Sequence, residues 1–318
     1  MPLKRARWKA GPTLLCPYNK DCMAKASTLA NTRLDVAQIA DWRMQPWLMH
    51  GFSTRIGGKT TVYRPDQQTG ELNLGFTASD QKETVLANRS LFVSAVAEAP
   101  LPLVTLQQIH SSIVHRAGSA DAAEKTLRKG DGIMTDEPDI LLGIQTADCI
   151  PVLVADRKRR AVAAFHAGWR GTLKRIVEHG IGQMRLAFGS HPEDLIAAIG
   201  PGIGACCYAV GEEVRSEFES QFRYAAELFS EVYDSDPVKE KYPMLFLTAR
   251  APGHSQLGPG LHLNLTEANR RQLLDAGLSA GNIFIQGDCT SCRTDRYFSH
   301  RAEHGFTGRS LSVIGIRK

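Results

Sequence analysis

Apolar residues along the chain fall into short, mostly uninterrupted runs from Trp47 onward, and these runs set the expected architecture. Ahead of them, residues 1–45 alternate irregularly between basic, small and polar types, which reads as an extension before a single domain spanning 46–318. Between Asp80 and Ala99 the residues Val85, Leu86, Leu91, Val93 and Val96 recur near helical spacing behind a capping Ser79 or Asp80. That segment is expected to be a helix. Apolar, β-branched runs follow at Leu103 to Ile109, Ser112 to His115, Gly132 to Met134, Ile140 to Gln145, Ile150 to Ala155 and Ala161 to His166. Runs of this type and length predict a sheet. Further helices are expected at Trp169 to Phe188, Glu212 to Phe222 and Thr266 to Ala276, and further strands at Leu195 to Ile199, Met244 to Leu247, Ile283 to Gln286 and Leu311 to Ile316. Blocks of strands broken by single helices predict an α/β (α+β) layered domain with mixed sheets flanked by helices. The Pro- and Gly-rich stretch Ser235 to Gly260 reads as an irregular surface excursion.

Composition narrows the class. With 318 residues and 43% hydrophobic content the chain can bury a large core. No run of about 18 uncharged apolar residues suggests a membrane span. The basic start MPLKRARWKA is not followed by a signal-type apolar stretch, so a cytoplasmic location is expected. Seven cysteines over this length argue for thiols in metal or core roles and against a disulfide framework. The net charge of +5 comes from scattered Lys and Arg without an aromatic-interleaved basic face, which argues against nucleic-acid binding.

Three groups with metal-donor atoms lie at the ends of expected strands: His110 after VTLQQI, Cys149 after LLGIQTAD and His166 after AVAAF. Two imidazoles and a thiolate suit zinc, and three protein ligands leave the fourth tetrahedral position open. The competing reading is two satisfied histidines and a buried cysteine. Arg170 follows His166 at a helix start, and Arg55 stands beside the Gly57–Gly58 pair, so both are candidate anion holders, with a surface salt bridge as the alternative for each. GPGIGA at 200–205 fits a dinucleotide pattern only formally, because Cys206-Cys207-Tyr208 is a poor helix start; the segment reads as a loop admitting close backbone approach to a ligand. Cys16, Cys22, Cys289 and Cys292 are a weaker candidate for a second, structural metal site.

The segments HGFSTRIGG, LNLGF, QQIHSSIVH, GDGIMTD, QTADCIPVLVAD, AFHAGWRGT, IGPGIGACCYAVG and CTSCRTDRYFSHRAEHGFTGR, in this order, resemble the laccase-domain proteins. These are also called multicopper polyphenol oxidases and are now regarded as purine nucleoside phosphorylases. The resemblance covers about residues 46 to 318. It implies zinc at His110, Cys149 and His166 in a fold shared with a cysteine-hydrolase-like toxin domain. It further implies phosphorolysis of adenosine, inosine and S-methyl-5′-thioadenosine, with adenosine deamination as a side activity. Apart from the resemblance, a monomer or small homo-oligomer is expected. Ser299-His300-Arg301-Ala302 departs from the family's usual tyrosine and two arginines, which leaves the roles of His300 and Arg301 open.

Phosphorolysis needs cationic groups against phosphate and stabilisation of a departing purine anion. Arg55 and Arg170 are the candidate phosphate holders, and Asn73 and Gln108 the candidate partners of sugar or base. Asp148 beside Cys149 can serve as an acid–base group only where the backbone kinks, since neighbouring strand residues face opposite ways. Three rival readings remain: a metal-independent hydrolase with Cys149 as nucleophile and His166 as base, a polyphenol oxidase binding copper, and a nonenzymatic partner-binding protein. The ten histidines include no His-x-His pair, which weakens the copper reading.

Overall fold

The computed structural model describes residues 34–65, 69–123, 128–232 and 260–318. They lie in a compact unit that begins at Thr32. Residues 36–44, expected to belong to an extension, are therefore part of the fold: Val36–Ala37 pairs antiparallel with Leu48–Ser53, and Trp42 is buried. The expected Met244–Leu247 strand, the excursion from 235 to 259, and Cys16 and Cys22 lie outside the described residues.

Two mixed sheets form the centre. The first carries five strands in the order Val36–Ala37, Leu48–Ser53, Ser310–Ile316, Leu141–Thr146 and Leu103–Thr105. The second carries six, in the order Ile283–Ile285, Leu195–Ile199, Ile150–Asp156, Ala161–Ala167, Gly132–Thr135 and Val114–Arg116. The outermost pair at each end of the six-stranded sheet is parallel, as is 103–105 with 141–143; the remaining pairs in both sheets are antiparallel.

Alternation along each strand then builds three cores. Leu142, Ile144 and Ile314 of the first sheet pack on Leu153, Ala155, Val162 and Ala164 of the second. The intervening residues face outward onto helices. Leu141, Leu311 and Val313 meet Phe92, Val93 and Val96 of the helix Lys82–Ala97. On the other flank, Val152, Val154, Ala163 and Phe165 share a core with Val177 and Ile181 of the helix Ile176–Phe188, together with Phe218 and Leu273. Strands covered on both faces must be apolar throughout, which explains the unbroken runs in the sequence. Among the described residues, no helix is long and apolar enough to cross a membrane.

The helix expected from Trp169 to Phe188 is two helices, Trp169–Leu173 and Ile176–Phe188, parted where Arg175 is left-handed with φ 57°. Two buried amides take over at the break. Gln272 donates to the Thr172 carbonyl at 2.6 Å and Asn269 to the Thr172 hydroxyl at 3.1 Å. These partners lie about a hundred positions downstream, out of reach of any local pattern.

Candidate functional site

Residues 147–149 are the whole of the link between Leu141–Thr146 in one sheet and Ile150–Asp156 in the other. Crossing between sheets in so few residues requires a sharp bend, and Asp148 supplies it with φ 86°. Cys149 therefore stands at the rim between the sheets. His166, one residue from the end of its strand and in register with Pro151, comes to the same edge. His110 is carried on a bend in which it is left-handed, with φ 56°. The donor atoms of His110, Cys149 and His166 all lie within 4.8 Å of one another. Cys149 Sγ is 3.9 Å from His110 Nε2, and the two imidazoles meet edge to face with centroids 4.9 Å apart.

Asp131 holds both histidines, and a reading by donor type alone passes over it. It is fully buried, and its carboxylate accepts from the backbone N–H groups of Ile109, His110 and Ser111 at 3.2, 3.0 and 2.6 Å. The same carboxylate accepts from the Ser111 hydroxyl at 2.7 Å and from His166 Nδ1 at 2.8 Å. With Nδ1 engaged, Nε2 of His166 is left for the centre. Carboxylate–imidazole pairing of this kind fixes ring orientation and raises donor strength. Burial would raise the Asp131 carboxyl, but the His166 and Ser111 hydrogen bonds outweigh it and hold the group well below the usual carboxylate range. Its place in GDGIMTD was the available signal.

Burial would also raise the Cys149 thiol; the charge on His166 and hydrogen bonds from both imidazoles outweigh it and bring the thiol down to about 6. For His166 burial works downward, and the Cys149 charge and the Asp131 hydrogen bond reverse it, to about 9. The trio thus favours a thiolate, the form that ligates metal. A thiolate with two imidazoles, closely converged and backed by a buried carboxylate, fits a divalent zinc-type ion. Gly168 is part of that fit. A Cβ there would come within 2.9 Å of both Cys149 Sγ and His110 Cδ2, so only glycine lets the chain pass behind the donors.

The donors sit in a cleft of about 1090 Å³, large enough for a ligand of drug size or more. Its walls include Phe76, Trp169, Ile203, Tyr208 and His300, with Arg301 and Arg309 as the cationic side. Gln108 and Asp148 line it as well. Gln108 is paired with the backbone of Gln145, donating at 2.7 Å and accepting at 2.8 Å.

The other expected binding residues are placed differently. Arg55 is 2% exposed and does not line the cleft; its guanidinium is matched to Glu71 and Glu303, donates to the carbonyls of Thr294 and Tyr297, and lies over Phe298. The arginine expected as a phosphate holder is thus paired with carboxylates in the interior, away from the cleft lining. Arg170 is exposed, lies over Trp169 and is likewise absent from the lining. Asn73 is fully buried and does not line the cleft; its side chain bonds Gly75, Asp80 and the Arg309 N–H. It positions Arg309, which the sequence reading missed. Asp148, despite the kink, directs its carboxylate to Thr290, Ser299 and the Arg301 N–H at 2.6, 2.7 and 2.7 Å, so it holds the C-terminal wall. The 200–205 loop also approaches protein: a Cβ on Gly200 would strike the Phe52 ring at 2.3 Å, and one on Gly202 would strike Ile150 at 2.3 Å.

Residues 49–317 match the family described as multi-copper polyphenol oxidoreductase laccase. The chain is similar to the purine nucleoside phosphorylase of Bacteroides thetaiotaomicron, at 32% identity over 277 residues covering 85% of this chain and 92% of that protein. It is also similar to the purine nucleoside phosphorylase of Deinococcus radiodurans, at 34% identity over 268 residues, 84% of this chain and 88% of that one. Among solved structures it is similar to the Bacillus licheniformis hypothetical protein YfiH, with a TM-score of 0.73 and 30% identity over 90% of this chain and 99% of that chain.

Proposed function

The chain belongs to the multi-copper polyphenol oxidoreductase laccase family, and from that premise we propose that its cleft carries out zinc-dependent phosphorolysis of purine nucleosides, with adenosine deamination as a side activity. The observation that carries the reading is the meeting of the His110, Cys149 and His166 donors with Arg301 and Arg309 in one cleft. In phosphorolysis a phosphate oxygen bonds to the anomeric carbon, the glycosidic C–N bond breaks, and its electron pair leaves with the purine, which then takes a proton. Zinc held by the three donors would supply a Lewis acid beside an oxyanion or water.

The protein's own groups do the remaining work. Arg301 and Arg309 are the phosphate holders in this reading, in place of Arg55 and Arg170. Arg301 is braced by the Ala209 carbonyl, and Arg309 by the carbonyls of Thr307 and Gly308. Phe76, Trp169 and Tyr208 offer faces for a purine. Gln108 stays the candidate hydrogen-bonding partner for sugar or base. Adenosine, inosine and S-methyl-5′-thioadenosine are the proposed substrates, and relatives in two organisms carry the phosphorylase name.

The cysteine-hydrolase reading has a point in its favour, since Asp131 orients His166 as a base would require. A second imidazole against the same thiolate favours a ligand set over a nucleophile. Copper is the weaker fit because multicopper chemistry needs several histidine clusters, and among the described residues the one donor group containing histidine is this trio.

The test is incubation with adenosine, with and without phosphate. Adenine and ribose 1-phosphate formed only with phosphate support phosphorolysis, and inosine in both reactions supports the side activity. Arg309→Gln is expected to lower kcat/KM for phosphorolysis by about 10- to 100-fold, the value of one charge-assisted hydrogen bond. A zinc-free preparation that is fully active and alkylated at Cys149 sinks the metal reading.

A further inference from the structure

A second cluster of metal-donor side chains lies outside the cleft. The turn at 204–208 carries Cys206 and Cys207, and the 287–296 loop carries Cys289 and Cys292. The two segments are bridged side by side: Gly202 and Cys289 form a parallel bridge, and Thr290 N–H donates to the Gly202 carbonyl at 3.0 Å. All four sulfurs fall within 4.8 Å of one another. Sγ of Cys292 is 3.4 Å from that of Cys206 and 3.3 Å from that of Cys207.

These separations discriminate between two chemistries. A disulfide needs sulfurs about 2.05 Å apart and joins two residues, whereas here one sulfur stands equally close to two others and a fourth closes the group. Ligands at about 2.3 Å around a tetrahedral zinc are separated by about 3.8 Å, close to the spacings seen. The backbone is arranged for a thiolate as well, with the Gly204 N–H donating to Cys289 Sγ at 3.2 Å.

We propose that Cys206, Cys207, Cys289 and Cys292 bind a zinc ion in a closed four-thiolate site that is structural and not catalytic. A full set of four protein ligands leaves no position for substrate. Cys16 and Cys22, the partners expected for Cys289 and Cys292, lie outside the described residues; among the described ones Cys206 and Cys207 adjoin the pair.

The site has a bearing on the cleft. One tethered segment continues into Tyr208 and follows Ile203, and the other leads to His300 and Arg301; all four residues line the cleft. Zinc here would fasten together two walls that share only a few backbone hydrogen bonds.

The decisive measurement removes the other centre. A full-length His110→Ala/His166→Ala chain, purified without chelator, is assayed for zinc and iron by mass spectrometry. About one equivalent of zinc is expected, falling to none when Cys289→Ser/Cys292→Ser is added. Absence of zinc from the first variant, or iron in its place, overturns the proposal. A parallel measurement needs no variant. In the wild-type chain the four thiols should resist iodoacetamide until a chelator strips the metal, and peptide mapping reads which cysteines are protected. Ready alkylation of all four before chelation, or a disulfide within the cluster in protein kept under reductant, also overturns it.

Discussion

Replacing Gly168 by alanine tests whether the three donors act as one centre. The backbone there is extended, with φ −69° and ψ 169°, so alanine meets no conformational penalty and the whole effect is steric. The new methyl would sit 2.9 Å from Cys149 Sγ and 2.9 Å from His110 Cδ2. Ordinary contacts between such atoms are about 3.5–4.0 Å, so each donor side chain must move away from the methyl by roughly 0.6–1.1 Å. Metal centres tolerate ligand distances within about 0.2 Å, and a displacement near 1 Å at a reacting centre costs about 100-fold in rate. Zinc at this centre should therefore dissociate at least about tenfold more readily, and kcat/KM for phosphorolysis should fall by about two orders of magnitude. Overpacking costs about 1–3 kcal/mol, so the chain should still fold and melt cooperatively. Gly182→Ala is the control: nothing lies within 4 Å of a Cβ there, and the position is inside the helix Ile176–Phe188, so it should gain about 0.5–1 kcal/mol with full activity. The assays are zinc retention during chelator dialysis, initial rates with adenosine and phosphate, and thermal melting. Wild-type zinc affinity and kcat/KM in Gly168→Ala would refute the argument that this passage of chain sets the donor spacing.

Two further outcomes follow from buried polar groups. Asp131→Asn keeps the shape but weakens the hold on His166, and metal affinity should drop about 10- to 100-fold; a competition titration against a chromogenic chelator reads it, and unchanged affinity would count against the orienting role. His50 accepts the Ile39 N–H at 2.9 Å, and burial, ahead of the Arg43 charge, brings its pKa from 6.5 down to about 4. A lowered histidine pKa means the unfolded chain binds the proton first, so the associated stability is complete above pH 6.5 and is lost as the pH falls toward 4. The difference corresponds to about 3 kcal/mol at most. Urea unfolding between about pH 4 and 7 should show this slope in the wild type and less of it in His50→Gln; identical slopes would remove His50 as its source.

What the sequence made legible is what depends on near neighbours. Strands sandwiched between two layers must be apolar on both faces, so Ile150 to Ala155 and Ala161 to His166 announced themselves. The donors at their ends were found because donor chemistry is a property of residue type. Partnership is not. Arg55 and Arg309 look alike in the chain, yet Glu71 and Glu303, 16 and 248 positions from Arg55, take one out of play, while Asn73 presents the other from 236 positions away. Cys206 and Cys289 are more than eighty positions apart and are brought together by a bridge between loops. Asp148 shows the converse: the proviso about a backbone kink was met, but the carboxylate had already been claimed by Thr290 and Ser299.

The link at 147–149 makes the centre a strain gauge for the whole sandwich. Cys149 is tethered within three residues to one sheet and directly precedes the strand Ile150–Asp156 of the other, and His166 belongs wholly to that second sheet. Any slippage of one sheet over the other is transmitted to the thiolate with almost no slack to absorb it. Substitutions deep in the layer between the sheets, at Ile144, Leu153 or Ile314, stand far from substrate in character yet are mechanically coupled to it. Variation in that layer can thus retune the centre while every donor and every cleft residue stays the same.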